Sequence, residues 1–292
     1  MYFVNFHYSA VSIHARIPAQ ILSGDGDQSD PRLAEVQLAE LAQKAQGRHV
    51  FFITHGFNVS YAEGARSLAR FAKRLALPDG VLVVGVLWPG DFYIPVVNYP
   101  AASVPAMEAG AALGDMCNKA FGGALSLSFF SHSLGARVVL EAVKALSGRK
   151  ARMLCISAGA VNDDSLTDEY KTVVGNATQI YNLASAKDTV LQIAFPVGDL
   201  IGQLFVHDHG AFQEALGRHG PNPPAPSPTD PHQIPDVQGY NHGNYLASSA
   251  PVPAAPKDPD SPLDDAVKWY RVCDFVGQAY SAALQPWPGP LQ

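Results

Sequence analysis

Short apolar runs alternate along this chain with stretches whose apolar positions recur every three or four residues. The runs are "HVFFITHG" (49–56), "VLVVGVLW" (81–88), "LSLSFFSH" (125–132), "RMLCISA" (152–158) and "TQIYNLAS" (178–185). A short apolar run bounded by polar residues predicts a strand buried on both faces, as parallel strands are. The periodic stretches between them predict helices. Ser60-x-x-Glu63 has the form of a capping box and opens a helix to about Leu77. A small-residue helix is expected up to about Phe121, another from Ser133 to Leu146, and a short one near 164–173. Strands alternating with helices imply a mostly parallel sheet covered on both faces, the α/β class.

The flanking regions break this rhythm. Residues 2–18 alternate enough to predict a strand pair, and "SGDGDQSD" (23–30) reads as a turn-rich connection. Asp30-Pro31 predicts a helix start and Gly47 its end. Residues 91–105, aromatic and Pro-containing, read as a loop. Residues 220–262 hold "PNPPAPSPTDP" and "APVPAAPKDPDSP", and proline cannot join a central strand, so these are expected to be loops. "QIPDVQ" (233–238) is the candidate for a last strand. "DDAVKWYRVCDFVGQAYSAAL" (264–284) sets Val267, Tyr270, Val272, Phe275 and Tyr280 near helical spacing, which predicts a terminal helix docked on the sheet. One domain over residues 1–292 is expected.

Composition narrows the function. With 47% hydrophobic and 16% charged residues the 292-residue chain can bury a large core. A net charge of −6 without any Lys/Arg cluster argues against a nucleic-acid partner. Cys117, Cys155 and Cys273 are too sparse for a disulfide framework. The start "MYFVNFHYSAVSIHARI" has no signal-peptide pattern, and no apolar run approaches the roughly 20 residues of a membrane span. A cytoplasmic protein without a membrane span is expected.

The chemistry centres on Ser131-His132-Ser133-Leu134-Gly135, an abrupt strand-to-helix join. Such a turn lifts the Ser133 hydroxyl above the sheet and needs small neighbours. Gly135 meets that need, whereas Ser131 stands where the G-x-S-x-G pattern has glycine. The helix N-terminus behind it favours a developing anion, so Leu134 N–H is one expected oxyanion donor. Phe57 N–H, after His55-Gly56 at the end of an earlier strand, is the second. His55 is expected to shape that loop, not to transfer protons. An unaided serine is a poor nucleophile and needs a base and an orienting acid. Asp188 follows a strand end, although it could equally cap the next helix; Asp163 and Asp164 are reserves one strand earlier. Among His207, His209, His219, His232 and His242, the last fits the order Ser, Asp, His, set in "GYNHGNYL". "VHDH" (206–209) also invites a metal-site reading through His207 and His209, without further ligands at metal-like spacing.

The stretches "THGFNVS", "SHSLGARVVLEA", "NLASAKDTVL" and "YNHGNYL", with Trp88-Pro89 ending a strand, together resemble the α/β-hydrolase superfamily. In detail they are similar to the bacterial α/β-hydrolases of unknown function, over roughly residues 49–246. The resemblance implies the α/β-hydrolase fold and acyl-ester hydrolysis. Ser133 would be the nucleophile, His242 the base, Asp188 its orienting acid, and Leu134 and Phe57 the oxyanion donors. It implies a small-molecule acyl substrate and no cofactor. Trp88, Phe92, Tyr93, Tyr99 and the Pro-rich region could roof an apolar pocket, with packing as their plainer role. Lipase, thioesterase or amidase activity remains open. So does a non-catalytic binding module on a hydrolase scaffold, although such a module would be expected to lose a triad member.

Overall fold

A computed structural model describes residues 1–7, 14–28, 30–91, 99–193, 214–246, 263–282, 284 and 287–288. The apolar runs become strands of one nine-stranded sheet, in the order β3-β2-β1-β5-β4-β6-β7-β8-β9. Its buried parallel centre is β4 (His49–Thr54), β5 (Val81–Leu87), β6 (Ser126–His132), β7 (Met153–Ser157) and β8 (Ile180–Ala184). Their side chains meet helices on both faces, so nearly every position can be apolar. The flanking strand β1 (Tyr2–Asn5) runs parallel to β5. β2 (Gln20–Asp25) and β3 (Arg32–Val36) continue that side antiparallel, and β9 (Thr229–Gln233) closes the other, parallel to β8.

The longer helices are α1 (Leu38–Ala45), α2 (Tyr61–Arg74), α3 (Tyr99–Ala120), α4 (Gly135–Lys144), α5 (Lys171–Asn176) and α6 (Asp265–Ser281), with one further turn of helix at Leu216–His219. The expected capping box opens α2. Ser60 Oγ accepts from Glu63 N, and the Glu63 carboxylate accepts from Ser60 N. In α6 the Asp264 carboxylate caps Ala266 N; of the expected docking face Val272, Phe275 and Tyr280 are buried, and Val267 and Tyr270 are half-buried against the core.

Five expectations need correction. The segment after Asp30-Pro31 is first a strand, β3, and α1 begins only at Leu38. Antiparallel pairing with β2 outweighs the cap-and-proline signal there, while Gly47 does lie past the helix end. The partner of β1 is Gln20–Asp25, which takes the start of the supposed turn region "SGDGDQSD" into the sheet. Helix α3 begins at Tyr99 inside the expected loop 91–105, with Pro100 in its first turn, where a missing N–H costs nothing. The last strand precedes "QIPDVQ". It runs Thr229–Gln233 with Pro231 inside it, which an edge strand tolerates, and Pro235 then leads into a 3-10 turn at Asp236–Gln238. The short helix also falls later than 164–173, at Lys171–Asn176. The Pro-rich stretch 250–262 and the residues Phe92 and Tyr93 lie outside the described residues.

Among the described residues no helix is long and apolar enough to cross a membrane. All three cysteines are buried and unbridged.

Candidate active site

Four strand ends meet at the C-terminal edge of the sheet. β6 ends in His132, and Ser133 follows in the left-handed region at φ 57°. That conformation costs a non-glycine residue roughly 1–3 kcal/mol and must be imposed by its surroundings. Ser133 N–H donates to Ser157 O at 3.1 Å, and its carbonyl accepts from Ala136 N at 3.0 Å and Ala160 N at 3.1 Å. The turn is therefore clamped to the end of β7. Two glycines permit the crowding. A Cβ on Gly135 would strike the carbonyl oxygen of His55, and one on Gly56 would come within 2.7 Å of Ser133 Cβ. Ser131, in the place of the usual first glycine, fits fully buried within β6.

Asp188 and His242 come to this serine from two further loops. His242 Nε2 lies 2.8 Å from Ser133 Oγ, and His242 Nδ1 lies 2.7 Å from Asp188 Oδ2. Asp188 is 0% exposed, Ser133 6% and the His242 side chain 16%. An ionised carboxylate only accepts, so it takes the Nδ1 proton and leaves Nε2 as the acceptor facing the serine hydroxyl. The other carboxylate oxygen of Asp188 accepts from Leu191 N at 3.0 Å. Cap and imidazole partner, weighed as rivals from the sequence, are thus two oxygens of one side chain.

The loop that carries His242 is fixed by polar side chains. Asn241 Oδ1 accepts from His242 N at 2.8 Å and from Thr189 N and Oγ1 at 3.1 and 3.0 Å. Asn244 Oδ1 accepts from Asn241 N, and Ser185 Oγ donates to Tyr240 O at 2.9 Å. From α6, Lys268 Nζ donates to Gly239 O at 2.9 Å. These supporting residues were not singled out from the sequence. The Asn-x-x-Asn spacing of 241–244, a reciprocal cap, was the available signal.

The loop after β4 packs on the elbow through Gly56. It is tied down by Asn58 N, which donates to Gly90 O at 2.7 Å. Leu134 is the N-cap residue of α4, so its amide lies ahead of the helical hydrogen-bond ladder. His55 is fully buried. Its Nδ1–H donates to Gly56 O at 2.9 Å, its carbonyl accepts from Trp88 Nε1 at 2.9 Å, and its ring stacks on Trp88 at 5.7 Å. Burial, with repulsion from His7, pushes its pKa down to about 3. It is a neutral scaffold group, and Trp88 is packed beneath the loop, fully buried.

The remaining candidates lie elsewhere. Asp163 is buried beside Asn222 and Glu214, and burial raises its pKa. The Asp164 backbone carbonyl accepts from Thr167 and Asp168 within its own turn. His219 pairs with Glu214 at 2.9 Å, and His232 lies 3.2 Å from Asp230 on the edge strand. His207 and His209 lie outside the described residues. Among the described residues no group of three His, Cys, Asp or Glu side chains is placed to hold a metal.

Residues 31–254 match the family model described as "Alpha/beta hydrolase of unknown function (DUF900)". The chain belongs to this family. Among solved structures, this α/β-hydrolase is similar to a Pyrobaculum calidifontis esterase at 12% identity and a TM-score of 0.40, with 82% of this chain and 79% of that one covered. It is also similar to Thermogutta terrifontis esterase 2 at 10% identity and a TM-score of 0.38, covering 83% and 87% of the two chains. No curated protein matches the chain. The family assignment rests on the match over residues 31–254.

Proposed function

We propose that this α/β-hydrolase cleaves carboxylic esters of small molecules through an acyl-enzyme on Ser133. The reading rests on one observation, the continuous hydrogen-bond chain from Ser133 Oγ through the His242 ring to buried Asp188. His242 Nε2 takes the hydroxyl proton as Ser133 Oγ attacks the acyl carbon. The resulting imidazolium carries its charge beside the Asp188 carboxylate. The negative charge on the former carbonyl oxygen is received by the amides of Leu134 and Phe57. His242 then returns the proton to the departing alcohol. A water, deprotonated by the same ring, releases the acid and restores the serine. The sequence of steps needs no cofactor.

The strained φ of Ser133 also supports this reading. Such strain costs stability and gains nothing structural at a site where glycine would do. Turnover of p-nitrophenyl acetate by the wild type, by Ser133→Ala and by His242→Ala tests it. Both variants should lose at least about a thousandfold of the wild-type turnover while keeping their melting temperatures, since the triad acts as a unit. Turnover that survives either change would reject the mechanism.

A further inference from the structure

The residue immediately before the nucleophile makes a contact that the triad does not use. His132 ends β6 and is only 7% exposed. Its Nε2 lies 2.9 Å from the backbone carbonyl of His242. A carbonyl only accepts, so Nε2 carries the proton and donates. The ring is packed between the His242 ring, at 4.8 Å, and the Tyr245 ring, at 6.1 Å. Burial, reinforced by repulsion from His242, holds its pKa well below the usual histidine range, so it stays neutral.

The other hydrogen bonds described for the base loop run elsewhere. Ser185 and Thr189 tie Tyr240 and Asn241 to the acid loop, and Asp265 and Lys268 tie Asn244 and Gly239 to α6. None of them reaches the elbow. Apart from the bond between Ser133 and His242 themselves, the His132 bond joins the two directly. The serine–histidine bond breaks once the serine is acylated, so it cannot hold the base in register through deacylation. The His132 bond takes no part in proton transfer and persists.

We infer that His132 is a positioning residue, whose Nε2–H holds the His242 backbone at a fixed distance from the nucleophile elbow throughout turnover. The inference deepens the proposed ester hydrolysis and rests on it for its kinetic consequence. Misplacement of a catalytic group by about 1 Å can cost on the order of 100-fold in rate.

Three substitutions separate donor from shape. Glutamine places an amide N–H near the Nε2 position, asparagine reaches only to the Nδ1 position, and phenylalanine keeps a ring without a donor. On p-nitrophenyl acetate, His132→Phe and His132→Asn should lower kcat about 10- to 100-fold with KM nearly unchanged, and His132→Gln should recover most of the loss. Proton NMR reads the same geometry without turnover, through the downfield resonance of the His242 Nδ1–H bonded to Asp188. That signal should persist in the wild type and in His132→Gln, and broaden or disappear in His132→Phe and His132→Asn. If His132→Phe cannot be produced folded, the asparagine and glutamine pair carries the comparison. Equal loss in His132→Gln and His132→Asn, or wild-type rate and NMR signal in the variants lacking the donor, overturns the inference. An inactive wild type would instead reject the ester-hydrolysis reading, and the NMR comparison would still decide the role of His132.

Discussion

The proposed nucleophile and its proposed base are held by opposite means. Ser133 sits where backbone fixes it: a left-handed φ, main-chain bonds to β7, and two glycines that let β4 and its loop press on the turn. His242 sits on a loop of short 3-10 turns and prolines, held by the side chains of Asp188, Thr189, Asn241, Ser185, Asn244 and Lys268. The turn at Ser133 should therefore reject added carbon. The His242 side should suffer most from loss of the polar side chains that hold it, His132 included. A strand-to-helix turn repeats its hydrogen bonds in the main chain, whereas a loop without a ladder must find partners one side chain at a time.

The sharpest break on the base side is Asp188→Asn. The asparagine carbonyl can still cap Leu191 N, so the melting temperature should hardly move. Its amide nitrogen, facing His242 Nδ1, can favour the tautomer with the proton on Nε2, which cannot accept from Ser133. The same change in serine proteases costs about 10⁴ in turnover, and a loss of that order is expected here. Asp163→Asn and Asp164→Asn should stay active. Kinetics on all three variants check this, and loss in Asp163→Asn or Asp164→Asn with an active Asp188→Asn would reassign the acid.

The matching break at the elbow is Gly135→Ala. Its new methyl would press on the His55 carbonyl, backbone that cannot rotate away. Overpacking of this kind costs up to about 3 kcal/mol, or roughly 5 °C in Tm at this chain length. Calorimetry that finds an unchanged Tm would mean the close contact between α4 and β4 is not real.

A smaller effect tests the histidines packed behind the elbow. Burial pushes the pKa of His7 to about 4, from 6.5 in an exposed ring. As pH falls below 6.5 the unfolded chain binds protons that the buried rings refuse, so stability declines. The loss from His7 levels off below about 4, and that from His55 below about 3. His7 Nε2 is buried without a hydrogen-bond partner among the described residues, so His7→Leu removes an unsatisfied nitrogen at little cost. The variant should match the wild type in Tm at pH 7 and lose less Tm on going to pH 4.5. An identical pH dependence in both proteins would count against this.

The contrast between the two sides also explains what the sequence discloses. "HVFFITHG", "LSLSFFSHSLG" and "TQIYNLAS" speak through local pattern, because buried parallel strands and an elbow need apolar runs and small residues at fixed offsets. Chain order put Asp188 and His242 forward, and in the structure His242 lies 2.8 Å from Ser133 Oγ and 2.7 Å from Asp188 Oδ2. The edges were less legible. β3 forms because β2 offers it a ladder, a fact that lies at another place in the chain, and β9 accepts Pro231 because, among the described residues, no strand lies beyond it. Apart from the Asn-x-x-Asn cap at 241–244, the supporting set has no motif, since Ser185, Thr189 and Lys268 each act on a residue distant in sequence. His132 stood inside the quoted elbow, but its bond to the His242 carbonyl spans 110 positions, and no local pattern marks it.

The central claim is that Ser133 is the activated serine of a triad. Incubation with a fluorophosphonate probe, followed by peptide mapping, tests it most directly, because only a serine beside a base and anion-stabilising amides is phosphonylated readily. The account predicts a single adduct on the peptide carrying Ser133, lost in Ser133→Ala and strongly slowed in His242→Ala. An adduct on Ser131 or another serine, or a folded protein that does not react, would contradict it.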